Sequence, residues 1–581
     1  MTGADPFARA RSEAGGTAAE RLHALFEIAW AKRLEDAPEL ATFFGIAGHG
    51  DRWSDLSPAA VADRRARAAR PLEVLRTIDR EALDEHDQLS WDVFEQQARS
   101  EGEAARFPND HLHVVGPLGH PAAEAAQTLA AMPTGTASDL ADVLERLRRL
   151  PAQLEQASAL LEEALTLGVT PPAVTLRDVP SSIAAHLAPD GDPRSSPLLA
   201  GLRGRVGAPS PEEDDVLAEA AAIVDEHVDP ALRRFLGHVT DVYLPGARAS
   251  VGLAALPDGA DWYAERVRTY TTTDLAPEEI HELGLAEVAR VGAAMDDVMA
   301  GTGFDGDRMA FAELLRTDAR FRFDDEDDLL RSYRDIAKRV DQHVAGLFRT
   351  MPRLPFAVVP VPAESASSAP MAFYLPGSIE QGRAGQFFAN TSHLETRVSW
   401  NMESVCIHEA VPGHHFQIAL AQELGHLPAF RANGLFTAYV EGWGLYCEGL
   451  GKELGLYTDP YQHFGALDAE MLRSVRLVLD TGLHALGWDR RRAIDYFLEH
   501  SVTPEQEVVV EVDRYITLPG QALAYKVGER RITALREAAA AAAGEAFDIR
   551  DFHDEVLRHG ALPLDLLGAL VARRFDSSAP A

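Results

Sequence analysis

Residues 406–417 of this chain are Cys-Ile-His-Glu-Ala-Val-Pro-Gly-His-His-Phe-Gln. Neutral histidine side chains together with a carboxylate are the usual protein ligands of a catalytic zinc ion. Glu409 directly follows His408, where a glutamate can take a proton from water bound to such an ion. The stretch therefore predicts a metal site with Glu409 as its general base. The simpler alternative for His408 is an ion-paired histidine on an apolar helix.

The spacing of the histidines differs from the common His-Glu-x-x-His pattern, in which two histidines four residues apart share one helix face. Here His414 and His415 follow His408 by six and seven residues. At about 1.5 Å per residue, an unbroken helix would separate His415 from His408 by about 10 Å, too far to share an ion. Pro412 cannot donate to the carbonyl of His408, so this turn must open or kink. We therefore predict an irregular helix at 410–413, with His414 rather than His415 as the second ligand.

A third ligand is expected from a separate helix. Residues 439–448 are Tyr-Val-Glu-Gly-Trp-Gly-Leu-Tyr-Cys-Glu, which places Glu441 and Glu448 seven residues apart on one helix face. A zinc site with two histidines needs such a carboxylate as its third protein ligand. We assign Glu441 as the ligand and Glu448 as a side chain that orients a histidine. Two solvated or ion-paired glutamates are the alternative.

The charge of the chain excludes some classes of partner. The sequence has 581 residues and a net charge of −35, with 90 acidic and 55 basic side chains. Nucleic-acid backbones and anionic membrane surfaces would repel such a protein, so we expect neither as a partner. The first residues contain no basic segment leading into an apolar one, and no run of about 18 apolar residues follows, so we expect a cytoplasmic protein.

Arginine and cysteine carry little functional information here. Only four basic residues are lysine, which is typical of a GC-rich genome and makes each arginine less informative. The two cysteines, Cys406 and Cys447, are too few for a disulfide framework. We interpret them as small buried hydrophobic residues.

Hydrophobic periodicity predicts a mainly α fold. From Thr17 onward, apolar residues such as Leu22, Leu25 and Phe26 recur at helical spacing. A small sheet is predicted immediately before the metal-site helix, because the composition changes there to short β-like runs. The predicted regions are 1–185, helical; 186–214, a loop or linker; 215–355, helical; 356–400, the small sheet; and 401–581, the helical metal-site region.

Within the predicted sheet, residues 357–361 and 385–390 are the β-like runs and residues 374–377 are a turn between them. An edge strand at this place could hold an extended peptide by main-chain hydrogen bonds, with Asn390 adding a side-chain contact. An ordinary hairpin without ligand contacts is an equal alternative.

Arg473, Arg476, Asp480 and His484 follow one another at intervals of three, four and four residues, and so form one stripe of a helix. If the stripe faces a cavity, Arg476 can bind a substrate carboxylate through two hydrogen bonds and His484 can donate to substrate. Asp480 would then belong to the same substrate-binding surface. A surface ladder of weak ion pairs is the alternative.

The segment 514–526 adds further candidates. A tyrosine hydroxyl directed at the reacting carbonyl would stabilise the oxyanion of a tetrahedral intermediate, and we assign this role to Tyr525. Tyr515, Gln521 and His415 are candidates for contacts to substrate or for support of the ligands. Tyrosines are also common in cores, so a structural role for Tyr525 is an even alternative.

Three motifs carry a resemblance to a known family: His-Glu…Pro-Gly-His-His at 408–415, Tyr-Val-Glu-Gly-Trp at 439–443 and Pro-Gly-Gln-Ala…Tyr at 519–525. Together they resemble the DUF885 family of bacterial proteins over most of the chain. That family is similar in turn to helical zinc peptidases of the thimet oligopeptidase and angiotensin-converting enzyme type. The resemblance implies a large, mainly helical body of two lobes that flank a deep channel. It also implies one zinc ion on His408, His414 and Glu441.

The leading hypothesis is a zinc-dependent hydrolase, similar to metallopeptidases, that acts on short peptides or peptide-like amides. A second hypothesis is a non-catalytic protein that binds a peptide or small ligand and has a degenerate metal site. A third is a metal-dependent lyase that acts on an amino-acid derivative. Ligand binding without turnover would favour the second, and a product that has not gained water would favour the third.

Overall fold

The computed structural model describes residues 7, 16–117, 119–203, 211–362, 366, 369–379 and 382–575. The chain forms two compact units, Met1–Trp262 and Tyr263–Ala581. Helices dominate both units, so the prediction of a mainly α fold is confirmed. None of the helices in the described ranges is both long and apolar enough to cross a membrane. The lobes and channel implied by the resemblance stay predictions, as do the domain boundaries drawn from composition.

The first unit is built on a long helix, α8. Its helices are α1 (Ala18–Asp36), α2 (Pro38–Phe44), α3 (Pro58–Arg67), α4 (Arg70–Leu75), α5 (Glu85–Ala104), α6 (Asn109–Leu112), α7 (Pro121–Ala131), α8 (Ala137–Leu167), α9 (Val179–Ala184), α10 (Ala200–Arg203), α11 (Pro211–Ile223), α12 (Asp229–His238) and α13 (Leu244–Gly246), with π-helical turns at Val224–Val228 and Val239–Tyr243. Thr136 caps α8 in a capping box with Asp139, and Gly168 ends it in the left-handed conformation. Leu147 and Leu154, seven residues apart, are buried in the core of this unit.

The predicted loop or linker at 186–214 is only partly described, because 204–210 lie outside the described residues. Its proline-rich part forms three short 3-10 turns, at Pro189–Gly191, Pro193–Ser195 and Pro197–Leu199, before α10. Helix α11 begins at Pro211, within the predicted linker.

The remaining helices lie in the second unit, apart from the first turn of α14. They are α14 (Gly259–Thr271), α15 (Pro277–Gly301), α16 (Arg308–Thr317), α17 (Glu326–Val340), α18 (Met402–Glu409), α19 (His414–Gln422), α20 (Ala429–Ala432), α21 (Thr437–Gly449), α22 (Pro460–His484), α23 (Arg490–His500), α24 (Glu505–Thr517), α25 (Leu523–Ala543), α26 (Ile549–Leu557) and α27 (Leu564–Phe575). Helices α18, α19 and α21 carry the predicted metal ligands.

A three-stranded sheet precedes α18, as predicted. Its strands are β1 (Phe356–Pro360), β2 (Ala372–Leu375) and β3 (Gly385–Ala389), in the order β1-β3-β2. β1 pairs with β3 in parallel, so the two predicted strands do not form a hairpin. The prediction of a turn at 374–377 was wrong for its first half. Tyr374 and Leu375 belong to β2 because they pair with Phe387 and Gln386 of β3.

Two glycines fix the position of α21 against α25. A Cβ atom at Gly442 would lie 2.5 Å from the Cα atom of Gly528, and a Cβ atom at Gly528 would lie 1.9 Å from the carbonyl oxygen of Ala438. Only residues without side chains allow this approach. This close contact between α21 and α25 determines the position of Glu441, which lies on α21.

Candidate metal centre

The helix is interrupted between the two histidines, as the sequence predicts. α18 ends at Glu409 and α19 begins at His414, and the backbone at 410–413 leaves the helical conformation. A Cβ atom at Gly413 would lie 1.9 Å from the carbonyl oxygen of His408. Glycine is therefore required for the chain to pass this close to the end of α18.

The interruption is bonded to the helix that carries the third predicted ligand. The carbonyl oxygen of Pro412 accepts hydrogen bonds from Trp443 Nε1 (2.8 Å) and from Cys447 Sγ (3.5 Å), both on α21. The Val411–Pro412 peptide bond is cis. Since Trp443 lies two residues after Glu441, the interruption and Glu441 are held in one arrangement.

The structure brings His408, His414 and Glu441 together. Glu441 Oε2 lies 3.6 Å from His408 Nε2 and 3.5 Å from His414 Nε2, and one donor atom of each side chain lies within 4.8 Å of the others. Two ligand atoms at about 2.0 to 2.1 Å from a zinc ion, at tetrahedral angles, are roughly 3.3 Å apart. Two of the donor-atom separations are close to that value, so the three side chains suit one zinc ion and would supply three of its four ligands. Across the described ranges, this is the one group of three or more such side chains with this spacing.

The other ring nitrogen of His408 contacts Glu448, as expected of a side chain that orients a histidine. His408 Nδ1 lies 2.7 Å from Glu448 Oε1, Ser404 Oγ donates to Glu448 Oε2, and Arg473 Nη2 lies 3.8 Å from Oε1. A metal ion at Nε2 would displace the proton there, while the proton on Nδ1 would stay in the hydrogen bond to Glu448. Sequence reasoning missed Ser404, although it lies one helical turn before His408.

The charges in this cluster stabilise each other. Burial opposes protonation of His408, but the carboxylates of Glu441 and Glu448 outweigh burial and raise its pKa to about 10. Burial alone would raise the pKa of Glu441, yet His408 and His414 hold it well below the usual range. Burial would also raise the pKa of Glu448, but Arg473 and His408 lower it. Both carboxylates are therefore ionised, which is the state that binds or supports a cation.

Glu409, the predicted base, is the last residue of α18 and is partly exposed. Among the described residues, no side chain or backbone group makes a hydrogen bond or an ion pair with its carboxylate. The negative charge of Glu409 helps to raise the pKa values of two neighbours, His408 and buried Tyr333. A carboxylate with free lone pairs has one property that a general base needs.

His415 points away from this cluster, as the spacing predicts. Its Nδ1 lies 3.0 Å from the hydroxyl oxygen of Tyr374 in β2, and burial lowers its pKa to about 4. One residue along α19 turns a side chain by about 100° from that of His414. His415 therefore joins α19 to the sheet and does not face the predicted metal ligands.

Asn390 does not offer its side chain to a substrate, and this prediction is corrected. Its Nδ2 donates to the carbonyl oxygens of Ala366 (2.7 Å) and Ala369 (3.0 Å), and its Oδ1 accepts from Ser392. The side chain is 1% exposed. It holds the loop before β2 because its polar atoms are used there.

Three side chains of the stripe on α22 have partners inside the protein. Arg476 is 5% exposed; its Nη2 donates to Glu511 (2.9 Å) and its Nε to the hydroxyl of Tyr515 (3.0 Å). The prediction that Arg476 binds a substrate carboxylate is therefore corrected, since Glu511 occupies its guanidinium. Tyr515 in turn donates its hydroxyl proton to Glu511 (2.6 Å).

Asp480 and His484 also have internal partners. Asp480 Oδ1 accepts from the hydroxyl of Tyr263 (2.6 Å) and from the backbone N–H of Gly520 (2.9 Å). His484 Nε2 lies 3.0 Å from the carbonyl oxygen of Tyr515. Neither residue is exposed, so both connect α22 to its neighbours and do not face substrate.

Tyr525 and Gln521 lie in the same polar group as Arg476. The Arg476 guanidinium lies 4.6 Å from the centre of the Tyr525 ring. Arg514 Nη2 donates to Gln521 Oε1 (3.1 Å) and lies 3.5 Å from the Tyr525 hydroxyl. The structure thus brings Tyr525, Gln521 and Tyr515 to one another, and the oxyanion role of Tyr525 stays a prediction.

Comparisons with known proteins agree with this architecture. A family model described as "Bacterial protein of unknown function (DUF885)" matches residues 38–571. A solved structure described as a "putative lipoprotein" from Colwellia psychrerythraea is 27% identical, with a TM-score of 0.90 over 96% of this chain and 99% of that chain. Among curated proteins, none matches this sequence.

Two further structures are more distant. One, described as a "putative lipoprotein of unknown function" from Shewanella oneidensis, is 17% identical, with a TM-score of 0.68 over 96% of this chain and 100% of that chain, and supports the fold alone. PZ peptidase A with inhibitor 2 is 12% identical, with a TM-score of 0.31 over 90% of this chain and 98% of that chain. At that score the likeness carries no functional argument.

Proposed function

The chain belongs to the DUF885 family of bacterial proteins, and we propose that it is a zinc-dependent hydrolase that acts on short peptides or peptide-like amides. One observation carries the proposal: His408, His414 and Glu441 converge at the spacing of zinc ligands. Glu409, whose carboxylate has no partner among the described residues, follows His408 in the chain. Three protein ligands with a fourth position left for water or substrate are typical of catalytic zinc, whereas structural zinc has four protein ligands.

The chemistry follows from the positions of the side chains. Zinc held by two histidines and a glutamate would supply Lewis acidity to a substrate carbonyl. Glu409 would accept a proton from the attacking water and transfer it to the leaving amine. Glu448 would keep the proton of His408 on Nδ1 and so maintain the tautomer that binds metal through Nε2.

β2 is an edge strand of the sheet, and this supports peptides as the substrate class. The carbonyl oxygen of Met371 accepts from the backbone N–H of Asn390, which makes this pair a hydrogen-bonded one. In an antiparallel ladder the next residues alternate, so Ala372 and Tyr374 direct their N–H and C=O groups away from β3. An extended peptide can add to such an edge as a further strand. Tyr374 of this strand contacts His415, the residue that follows His414 on α19.

Metal analysis combined with a peptide screen tests the proposal. We expect about one zinc per chain after growth with zinc, lost in His408→Ala and Glu441→Ala variants. Mass spectrometry of short-peptide mixtures should show products that have gained one water. The Glu409→Gln variant should keep its zinc and lose hydrolysis by about 10²- to 10⁴-fold. Folded protein without zinc and without turnover would contradict the proposal, and products that have not gained water would favour elimination.

A further inference from the structure

Tyr457, in the loop between α21 and α22, has an unusual backbone conformation. Its φ angle is +57°, in the left-handed region that bulky side chains rarely adopt because it is strained for them. The side chain is buried, and it packs against Gly451 so closely that a Cβ atom there would lie 1.9 Å from Cε2 of the ring. A strained residue persists when its surroundings hold it, and here both its backbone and its hydroxyl group are held.

The backbone of Tyr457 is bonded to α18. Its N–H donates to Oε2 of Glu403 (2.7 Å), and Oε1 of Glu403 accepts from Arg339 of α17. Glu403 is buried, so water does not compete for these hydrogen bonds. Glu403 precedes His408 by five residues on α18. The loop is thus fixed to the helix that carries the first predicted zinc ligand.

The side chain of Tyr457 is bonded to α21. Its hydroxyl donates to the backbone carbonyl oxygen of Glu448 (2.9 Å). Glu448 lies in the last turn of α21, where carbonyl groups lack the regular hydrogen bond within the helix. Burial and the charge of Glu448 raise the pKa of Tyr457 well above its usual value, so the hydroxyl keeps the proton that it donates. Tyr457 therefore caps the helix that carries Glu441, the predicted carboxylate ligand.

These contacts form a closed ring with the hydrogen bond between Glu448 and His408. Oε1 of Glu448 lies 2.7 Å from Nδ1 of His408, so α18 and α21 meet at this pair and are joined a second time through Tyr457. Ser404, which follows Glu403 on α18, donates to the other carboxylate oxygen of Glu448. A second connection between the two helices restricts how far Glu448 can move from His408.

We propose that Tyr457 is a positioning residue for the predicted zinc site: it holds α21 against α18 so that Glu448 keeps the ring of His408 in the orientation that binds zinc. The inference rests on the proposed function and adds to it a residue that is not itself a ligand. The alternative is a tyrosine that stabilises the fold and has no specific effect on the zinc site.

The zinc affinity of a Tyr457→Phe variant tests the inference. This substitution keeps the ring and removes the hydroxyl that reaches Glu448. We expect zinc affinity to fall about 3- to 10-fold, the effect of one lost hydrogen bond on a side chain that orients a ligand. Competition with a chromophoric chelator measures the affinity. Denaturant titration of the zinc-free protein should show that the variant is folded and less stable than the wild type.

The same substitution in a Glu448→Gln background separates positioning from general stabilisation. If Tyr457 acts through the Glu448 side chain, the double variant should bind zinc within about 2-fold of Glu448→Gln alone, because residues that act together have non-additive effects. The loss of stability from Tyr457→Phe should persist in this background, because the hydroxyl bonds to the backbone of residue 448 and not to its side chain.

Tyr439→Phe is the matched control. Tyr439 is a buried tyrosine of α21, and its hydroxyl donates to the backbone carbonyl oxygen of Val556 (2.8 Å). That bond joins α21 to α26 and not to α18. The control variant should therefore lose stability and keep its zinc affinity.

The outcomes separate this inference from the proposed function. Unchanged zinc affinity in a folded Tyr457→Phe protein would overturn the inference and leave the proposed function standing. An equal loss of affinity in Tyr439→Phe, or full additivity with Glu448→Gln, would also overturn it, since either would show a general effect of stability. A wild type that binds no zinc would overturn the proposed function, and with it any role of Tyr457 in a zinc site.

Discussion

Trp443 Nε1 donates a hydrogen bond of 2.8 Å to the carbonyl oxygen of Pro412. This bond joins the interruption between the two histidine helices to α21, two residues beyond Glu441. The indole is completely buried, so the bond is shielded from water. The geometry of the predicted ligands therefore depends on a side chain that is not itself a ligand.

Trp443→Phe should lower zinc affinity as well as stability. Phenylalanine retains most of the packing but leaves the Pro412 carbonyl with the weak Cys447 donor alone, which should cost about 1 to 2 kcal/mol of unfolding free energy. Competition with a chromophoric chelator measures the zinc affinity, and denaturant titration measures the stability. Trp53→Phe is the control, because Trp53 Nε1 donates to the Arg146 carbonyl at the same 2.8 Å. It should lower stability only; equal zinc affinity in both variants would refute the argument.

Glu448→Gln should weaken zinc binding about 10- to 100-fold, the usual effect of losing a partner that orients a metal-binding histidine. The amide cannot hold the His408 Nδ1 proton by charge, and Arg473 and Ser404 would face a neutral group. Ser404→Ala should produce a smaller loss in the same direction. Zinc titration of the wild type, Glu448→Gln and Ser404→Ala ranks their zinc affinities. Unchanged affinity in Glu448→Gln would show that His408 is oriented by packing alone.

The interruption of the metal helix could be predicted because its causes are local. A proline four residues after His408 removes a backbone donor, and helical spacing then leaves His414 as the histidine that can return to the site. The same periodicity found Glu441 and Glu448 on one face of α21. These inferences needed only the geometry of one element at a time.

The residues that a side chain contacts on another helix or strand could not be predicted in this way. The spacing of Arg476 on α22 is the same whether it faces water, a cavity or Glu511, and only the packing of α24 decides. The turn residues that follow Tyr374 in the sequence predicted a loop. In the structure Tyr374 pairs with β3 and so belongs to the strand.

Tyr525→Phe distinguishes the oxyanion role from a structural one. If the hydroxyl stabilises the developing oxyanion, its loss should reduce kcat about 10²- to 10³-fold with KM and zinc content unchanged. Tyr515→Phe is the comparison, because the Tyr515 hydroxyl bonds to Glu511 and Arg476 inside the protein. That variant should lower stability and keep kcat. A normal kcat in the Tyr525→Phe variant would show that Tyr525 has a structural role, in which its ring packs against Arg476.

Asp480 should make stability depend on pH. Burial raises its pKa to about 7, against the opposing hydrogen bonds from Tyr263 and Gly520. The folded pKa exceeds the unfolded value of about 3.9, so the stabilisation from the bound proton is complete below about pH 4 and is lost as pH rises through 7. The unfolding free energy of the wild type, relative to Asp480→Asn, should fall by up to about 4 kcal/mol between pH 4 and 7. Denaturant titrations at several pH values measure it, and parallel curves would contradict the raised pKa.

Gly444→Ala should abolish zinc binding without changing any ligand. A Cβ atom at this position would lie 2.7 Å from Cε1 and 2.9 Å from Nε2 of His408, closer than real Cβ atoms approach. The ring cannot move away freely, because its Nδ1 is held by Glu448. Gly449→Ala, on the same helix with open space around the new methyl group, is the matched control and should be neutral or slightly stabilising. Zinc titration of the two variants, with circular dichroism to confirm the fold, checks this; full affinity in a folded Gly444→Ala protein would mean that the His408 ring can shift and still reach the ion.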